Sequence, residues 1–386
     1  MEIITGLIAA YTLTAGVYLL FFAIASFFYK NESAKSGVDN RIAVMLPVYK
    51  ADDVVLQSAR QALDLRYDKT KFDVIVIADS LHASTMSLLS NMGCIVIRMC
   101  LTPRSKAKAL NLALKALPDA YDICVVLDAD NYLANDALEQ INAAFNHGHY
   151  AIQCKRVAKE ITSPVSVLDA ISEGINNNIF RKGHAAAGLS AALAGSGMAF
   201  DYQLFKEAMS EIKATNGFDK DLEFEIISRN IRIAYLDSVE VFDEKVASLD
   251  VLQKQRTRWF AAQIINIRKG FRFAKKNPTI DVLDKWWQMF LPSRLLLVVF
   301  MYLATAIAFL VSGPVITINF LAAAAATTLA MILTTPRHYI SGRLWSVVLY
   351  LPKAVLALCI SMLSIHKARK GFIHTPHQAA QQKNIL

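Results

Sequence analysis

Charge is scarce in this sequence: Asp, Glu, Lys and Arg make up 19% of its 386 residues against 54% hydrophobic residues, and the mean hydropathy is +0.34. Soluble domains carry about 25% charged residues, so an ordinary soluble protein is excluded. A chain lying wholly in lipid would carry fewer still, which leaves one good-sized domain joined to a few spanning helices. Cysteine is equally thin. Cys94, Cys100, Cys124, Cys154 and Cys359 lie far apart, which excludes a disulfide scaffold and a paired-cysteine zinc site. They read as reduced core residues. Neither an internal repeat nor a low-complexity tract is found, so a solenoid is excluded as well.

Acid is short relative to base, 32 residues against 41, for a net charge of +9. Such an excess suits nucleic acid, an anionic membrane surface or a phosphorylated substrate, and the placement of the bases decides between them. Lys30, Lys35 and Arg41 follow the first apolar segment, and Arg268, Lys269, Arg272, Lys275 and Lys276 precede the next. These are cytosolic flanks by the positive-inside bias, so nucleic acid is not an expected partner.

Ile3 to Tyr29 carries no charge and is long enough, at about 1.5 Å per residue, to cross a ~30 Å hydrocarbon layer. A cleaved signal peptide is the competing reading, but no basic stretch precedes this run and it is too long. From Arg41 to Asp243 short apolar runs (Ile42–Val48, Val74–Ala78, Cys94–Ile97, Ile123–Leu127) alternate with helix-period segments. That rhythm predicts a mostly parallel α/β sheet, with ligands at the carboxyl ends of its strands. After Asp250, aromatic and aliphatic residues interleave with arginines, which predicts an interfacial amphipathic helix. Leu295 to Thr335 is uncharged and broken by Ser312-Gly313-Pro314, which predicts two spanning helices in a hairpin. Leu344 to Ile365 holds Pro352-Lys353 near its centre. A third crossing there would export the basic His366–Lys370 stretch, so an interfacial or re-entrant segment is expected. The division is therefore 1–38 anchor and linker, 39–250 cytosolic domain, 251–290 interfacial helices, and 291–386 membrane region and tail.

The run Ile123–Leu127 ends in Asp128-Ala129-Asp130, two carboxylates on one side of an extended chain at a strand's carboxyl end. Hard divalent cations use such carboxylates together with substrate phosphates, although an isolated Asp-x-Asp also suits a helix-capping turn. Asp79 closes another strand, Lys106 stands just ahead of Ala109-Leu110-Asn111, and Gly195-Ser196-Gly197 precedes a further apolar run. Asp219-Lys220-Asp221-Leu222-Glu223 and Gln255-Arg256-Thr257-Arg258-Trp259 follow. His147 and His149 lack partnering acids or cysteines and carry no metal assignment.

Asp-x-Asp, then an acidic Asp-x-Glu, then Gln-x-x-Arg-Trp, in that order, resembles glycosyltransferase family 2. The resemblance is to its membrane-integrated branch, which includes cellulose, chitin and hyaluronan synthases and ceramide glucosyltransferase. It spans Arg41 to Trp259 and the flanking membrane segments, and implies a GT-A fold. Pro47, Tyr49 and Asp79 would then hold the uridine end of a UDP-sugar, with Lys106, Asp128 and Arg258 near its phosphates. Asp130 with Asp128 would bind Mg2+ or Mn2+. Asp221 would be the general base of an inverting displacement, and Gln255 and Trp259 would border the acceptor. The acceptor would be a growing β-linked glycan, or alternatively a ceramide-like membrane lipid. A degenerate scaffold subunit is the alternative of another class. Lys50-Ala51-Asp52 after Pro-x-Tyr, and Asp219-Lys220 before the base, depart from the family pattern. The Phe372-Ile373-His374-Thr375-Pro376 segment resembles one that follows the membrane helices of relatives on the cytosolic side. An integral protein of the inner or plasma membrane with its catalytic domain in the cytosol is expected.

Overall fold

The computed structural model describes residues 2–31, 37–101, 105–213, 217–339 and 344–368. The first apolar run forms α1 (Glu2–Ala25), continued by a tight turn to Phe28. The β-branched runs become strands β1 (Ile42–Tyr49), β2 (Phe72–Asp79), β3 (Ile95–Met99) and β4 (Ile123–Val126), all parallel neighbours in the order β3-β2-β1-β4. Helices α2 (Asp52–Leu63), α3 (Ala83–Asn91) and α4 (Lys106–Ala116) connect them. Ile42, Val44, Ile75, Ile77 and Val125 are fully buried, as strands covered on both faces require.

The second half of the sheet keeps one parallel pair and adds antiparallel ones. It comprises β5 (Tyr132–Leu133), β6 (Ala151–Ala158), β7 (Met198–Asp201) and β8 (Ile233–Asp243), in an eight-stranded order β3-β2-β1-β4-β7-β6-β8-β5. β6 runs parallel to β8, whereas β7 runs antiparallel to both β4 and β6, and β5 antiparallel to β8, so the sheet is mixed. Gly197 donates its N–H to Val126 O at 2.9 Å, which sets the start of β7 against the end of β4. Helices α5 (Ala137–Asn146), α6 (Pro164–Asn176), α7 (His184–Ala186), α8 (Tyr202–Glu211) and α9 (Phe218–Ile227) complete the domain. A π-helical stretch, Asn177–Gly183, joins α6 to α7.

Helix α10 (Leu249–Lys276) leads into α11 (Ile280–Phe290), α12 (Arg294–Val311), α13 (Pro314–Thr334), α14 (Leu344–Leu363) and α15 (Ile365–Ala368). Among the described residues three helices are long and apolar enough to cross a membrane: Ile3–Phe28, Arg294–Val311 and Pro314–Thr334. The break between the last two falls at Ser312-Gly313. Leu344–Leu363 is helical through Pro352 and packs along α10, where Ser361 Oγ donates to Gln253 O at 3.1 Å. The Gly371–Pro376 segment lies outside the described residues.

The long apolar helices and the domain are interlocked. A Cβ on Gly183 would stand 2.1 Å from Phe22 O, so the π-helical stretch touches the α1 backbone. Beside that contact His184 stacks on Phe22 at 3.6 Å, Tyr18 donates to Asp284 at 2.6 Å, and Gln288 donates to Asp284 at 2.8 Å. The uniformly buried set of cysteines expected from the sequence is corrected in part. Cys94, Cys124 and Cys154 are buried, but Cys100, just past the edge strand β3, and Cys359, on the uncovered side of α14, are exposed.

Candidate active site

Because β1, β2 and β4 are parallel, their carboxyl ends open on the same edge of the sheet. Tyr49 stands in register with Asp79, and Met45 with Val126. The chain leaves β1 and β2 through Lys50 and Ser80, whose φ values of 48° and 63° are left-handed and uncommon for residues with a Cβ. Lys50 N donates to Asp79 O at 3.3 Å, and Ser80 Oγ to Asp79 Oδ1 at 2.9 Å, which fixes the buried Asp79 carboxylate.

The Asp128-Ala129-Asp130 turn is held by Ser196, a residue of the Gly-Ser-Gly triplet to which the sequence assigned no role. Ser196 Oγ accepts from Asp128 N at 3.0 Å and from Asn131 Nδ2 at 2.6 Å. Gly195 and Gly197 on either side of it have φ of 80° and 64°, the positive values glycine permits. Gln153, fully buried on β6, donates to Ser196 O and Gly197 O at 3.1 Å and accepts from Ala194 N at 2.8 Å. The Gly-Ser-Gly spacing was the only signal in the sequence, and nothing there pointed to Gln153. Lys106, at the start of α4, donates to Asp128 Oδ1 at 2.5 Å and to Gly195 O at 2.7 Å.

One cavity of about 780 Å³ collects Pro47, Tyr49, Asp79, Lys106, Asp128, Asp130, Gln255, Arg258 and Trp259. Gln255, Arg258 and Trp259 share a face of α10 because they stand three and four residues apart. Gln255 Oε1 is buried and has no hydrogen-bond partner among the described residues. Burial pushes the Arg258 guanidinium below its usual range, against the pull of the Asp128 charge. Trp259 is 44% exposed, with the Arg256 guanidinium 4.2 Å from its ring centroid.

Asp221 stands elsewhere. Both its carboxylate oxygens accept from Lys269 Nζ, at 2.6 and 2.8 Å, and it is not among the residues lining the cavity. Asp219 is among them: its Cβ would lie 4.0 Å from a Cβ built on Gly195, beside the Lys106 contact. Burial raises the Asp219 carboxyl above its ordinary range, with Lys220 opposing. Glu223, one turn further on, is fully buried and accepts from Leu193 N at 2.7 Å and from Lys220 at 2.8 Å.

A second set of charges on the cavity wall had no sequence signature. Arg156 pairs with Asp243, Lys245 with Asp243 at 2.6 Å, and Arg181 with Glu173 at 2.7 Å. Although burial pushes the Glu173 carboxyl up, Arg181 and Arg156 hold it well below the usual carboxylate range.

The donor set suits a hard divalent cation. Asp128 and Asp130 offer carboxylate oxygens, and among the described residues no cluster of three His, Cys, Asp or Glu forms. Lys106 and Arg258 supply the complementary positive charge.

The family model for glycosyltransferase-like family 2 matches residues 40–262, more than half of the chain. This chain is a family 2 glycosyltransferase. Among solved structures it is similar to the mannosyltransferase PcManGT from Pyrobaculum calidifontis in complex with GDP-Man and Mn2+, with a TM-score of 0.58 and 19% identity over 92% of this chain and 98% of that one. It also matches S. aureus TarS (TM-score 0.39, 14% identity, 85% of this chain and 91% of that one). A further match is glucosyl-3-phosphoglycerate synthase from Mycobacterium tuberculosis with Mn2+, UDP and glucosyl-3-phosphoglycerate (TM-score 0.38, 16% identity, 58% and 82%). No match was found among curated proteins. Family and fold together make the chain a GT-A glycosyltransferase, a transferase enzyme.

Proposed function

We propose that this glycosyltransferase moves a sugar from a nucleoside-diphosphate sugar, UDP-linked in the first instance, to an acceptor presented at the membrane face, with inversion at the anomeric carbon. The observation that carries the reading is the single cavity shared by Asp79, Asp128, Asp130, Asp219 and the Gln-x-x-Arg-Trp face of α10. Tyr49 and Asp79 flank the nucleoside end, and Lys106 turns from Asp128 to the diphosphate when a donor binds. Asp128 and Asp130 would hold Mg2+ or Mn2+, which would supply charge neutralisation for the leaving diphosphate. Arg258 donates to the same leaving group.

Asp219 takes the base role that the resemblance gives to Asp221, because it faces the cavity while Asp221 is tied to Lys269. The acceptor hydroxyl loses its proton to Asp219 as its oxygen bonds to the anomeric carbon. The bond from that carbon to the diphosphate breaks, and its electron pair leaves on the nucleotide. A carboxylate whose pKa is raised by burial binds that proton more strongly than an exposed one, and is ionised only above the raised value.

The Lys and Arg flanks favour a cytosolic catalytic domain in an inner or plasma membrane. The cavity continues past Phe180 and Met289 to Leu291, Pro292 and Arg294, the residue that opens the α12 span, which favours a membrane lipid as acceptor. Elongation of a β-linked glycan is the second reading, favoured by the half-exposed Trp259 indole, a surface on which a sugar ring stacks. Full-length protein offered UDP- and GDP-linked sugars with Mg2+ or Mn2+ tests the proposal. Metal-dependent nucleotide release with label entering an organic-soluble product supports lipid transfer, and a water-soluble ladder supports elongation. No nucleotide release from any donor refutes both.

A further inference from the structure

We propose that the membrane-side end of the cavity is a phosphate site, so that the acceptor is a membrane lipid carrying a phosphate in its headgroup and a free hydroxyl beyond it. This rests on the transferase reading above and names its acceptor class.

The cavity is cationic. Among the described residues eight Lys and Arg side chains and six Asp and Glu side chains line it. Most of the arginines are already matched: Arg156 with Asp243, Arg181 with Glu173, and Arg256 with Asp169 at 2.9 Å. Arg294 is different. Its guanidinium donates to Asn176 Oδ1 at 2.6 Å and to Ser172 O and Oγ at 3.1 and 3.3 Å, all neutral acceptors, and among the described residues it forms no ion pair. A half-buried cation held by neutral groups is costly unless an anion joins it.

Position says which anion. Arg294 is the first residue of α12, a helix long and apolar enough to cross a membrane, so its guanidinium stands at the end of the apolar stretch, where the headgroup layer would lie. That is the depth at which a lipid carries its phosphate. The walls beside it are apolar, with the Phe180 ring centroid 5.5 Å from the guanidinium and Met289, Leu291 and Pro292 lining the same cavity. An ordinary interfacial arginine extends its head into bulk water, whereas this one is turned inward and fixed by α6. A neutral glycan would leave it unmatched. A phospholipid headgroup matches it, and a hydroxyl distal to the phosphate then extends toward Asp219.

The test reads binding without any donor. Full-length protein in dodecyl maltoside micelles is equilibrated with labelled phosphatidylglycerol, with monogalactosyldiacylglycerol as a neutral hydroxyl-bearing lipid, and with glycerol phosphate as the soluble form of the same group. Phosphatidylglycerol is expected to bind at least about tenfold more tightly than the galactolipid, roughly the worth of one charge-assisted contact. Arg294→Ala is expected to remove that preference. Asn176→Asp, which keeps the contact but gives Arg294 an acid partner, does the same and guards against a folding defect in the first variant. Arg272→Ala combined with Lys275→Ala, in the basic groove between α10 and α11, leaves the preference in place. Equal binding of the two lipids, or a preference that survives both cavity variants, overturns the proposal. So does one lost with the groove variant instead, or glycerol phosphate competing as well as the lipid. Failure of the transferase reading shows up separately, as wild-type protein that releases no nucleotide from any donor.

Discussion

Replacing Asp219 and Asp221 one at a time by asparagine separates the geometry of this cavity from the motif's usual reading. Asparagine matches aspartate in size but cannot accept a proton from the acceptor. A positioned general base contributes about 10²–10⁴-fold, so Asp219→Asn is expected to lower kcat/KM by that factor, about 3–5 kcal/mol of barrier. Asp221→Asn removes instead an ion pair in which Lys269 is 33% exposed and Asp221 12% exposed. Solvent screens such a pair, which limits the loss to about 1 kcal/mol of stability. The rate effect should stay under about tenfold, since Asp221 does not line the cavity. The assay is nucleotide release with saturating donor and varied acceptor, alongside a thermal melt of each variant. A loss of more than about 10²-fold in Asp221→Asn, with Asp219→Asn within tenfold of wild type, would refute the assignment.

The acid limb of the kcat/KM profile should lie above pH ~4, the ordinary aspartate value, because the raised Asp219 carboxyl must be ionised to act and activity falls as pH drops through it; a limb at or below that value contradicts the base role. Lys106→Gln should tighten Mn2+ binding in the absence of donor by freeing Asp128 Oδ1, and raise the donor KM roughly tenfold or more by removing a charged contact to the diphosphate, both read by metal and donor titration. Gly183→Ala should cost about 1–3 kcal/mol, seen as a lower melting temperature in detergent, because its Cβ meets the Phe22 carbonyl at 2.1 Å.

Much of the architecture can be read locally. The runs that became β1, β2 and β4 are β-branched and bounded by turn residues. The α12–α13 break stands at Ser312-Gly313-Pro314, where proline opens the next helix. The direction of β7 could not be read this way, because Met198–Asp201 is a short apolar run that fits either orientation, and its antiparallel pairing with β4 and β6 settles it. The pairs Arg156–Asp243 and Arg181–Glu173 were equally hidden, since each joins separate elements whose side chains meet only after the sheet and helices have packed.

Composition and residue order alone determined that this chain pairs an α/β domain with helices long and apolar enough to cross a membrane and carries carboxylates at strand ends. They did so because burial, charge placement and chain geometry act within a few residues. The choice between Asp219 and Asp221 belonged to the tertiary structure. Successive residues of a helix turn by about 100°, so two acids two positions apart on α9 point to nearly opposite sides. Which side meets the cavity is decided by how α9 docks on α10, where Lys269 claims one carboxylate and leaves the other beside Gly195.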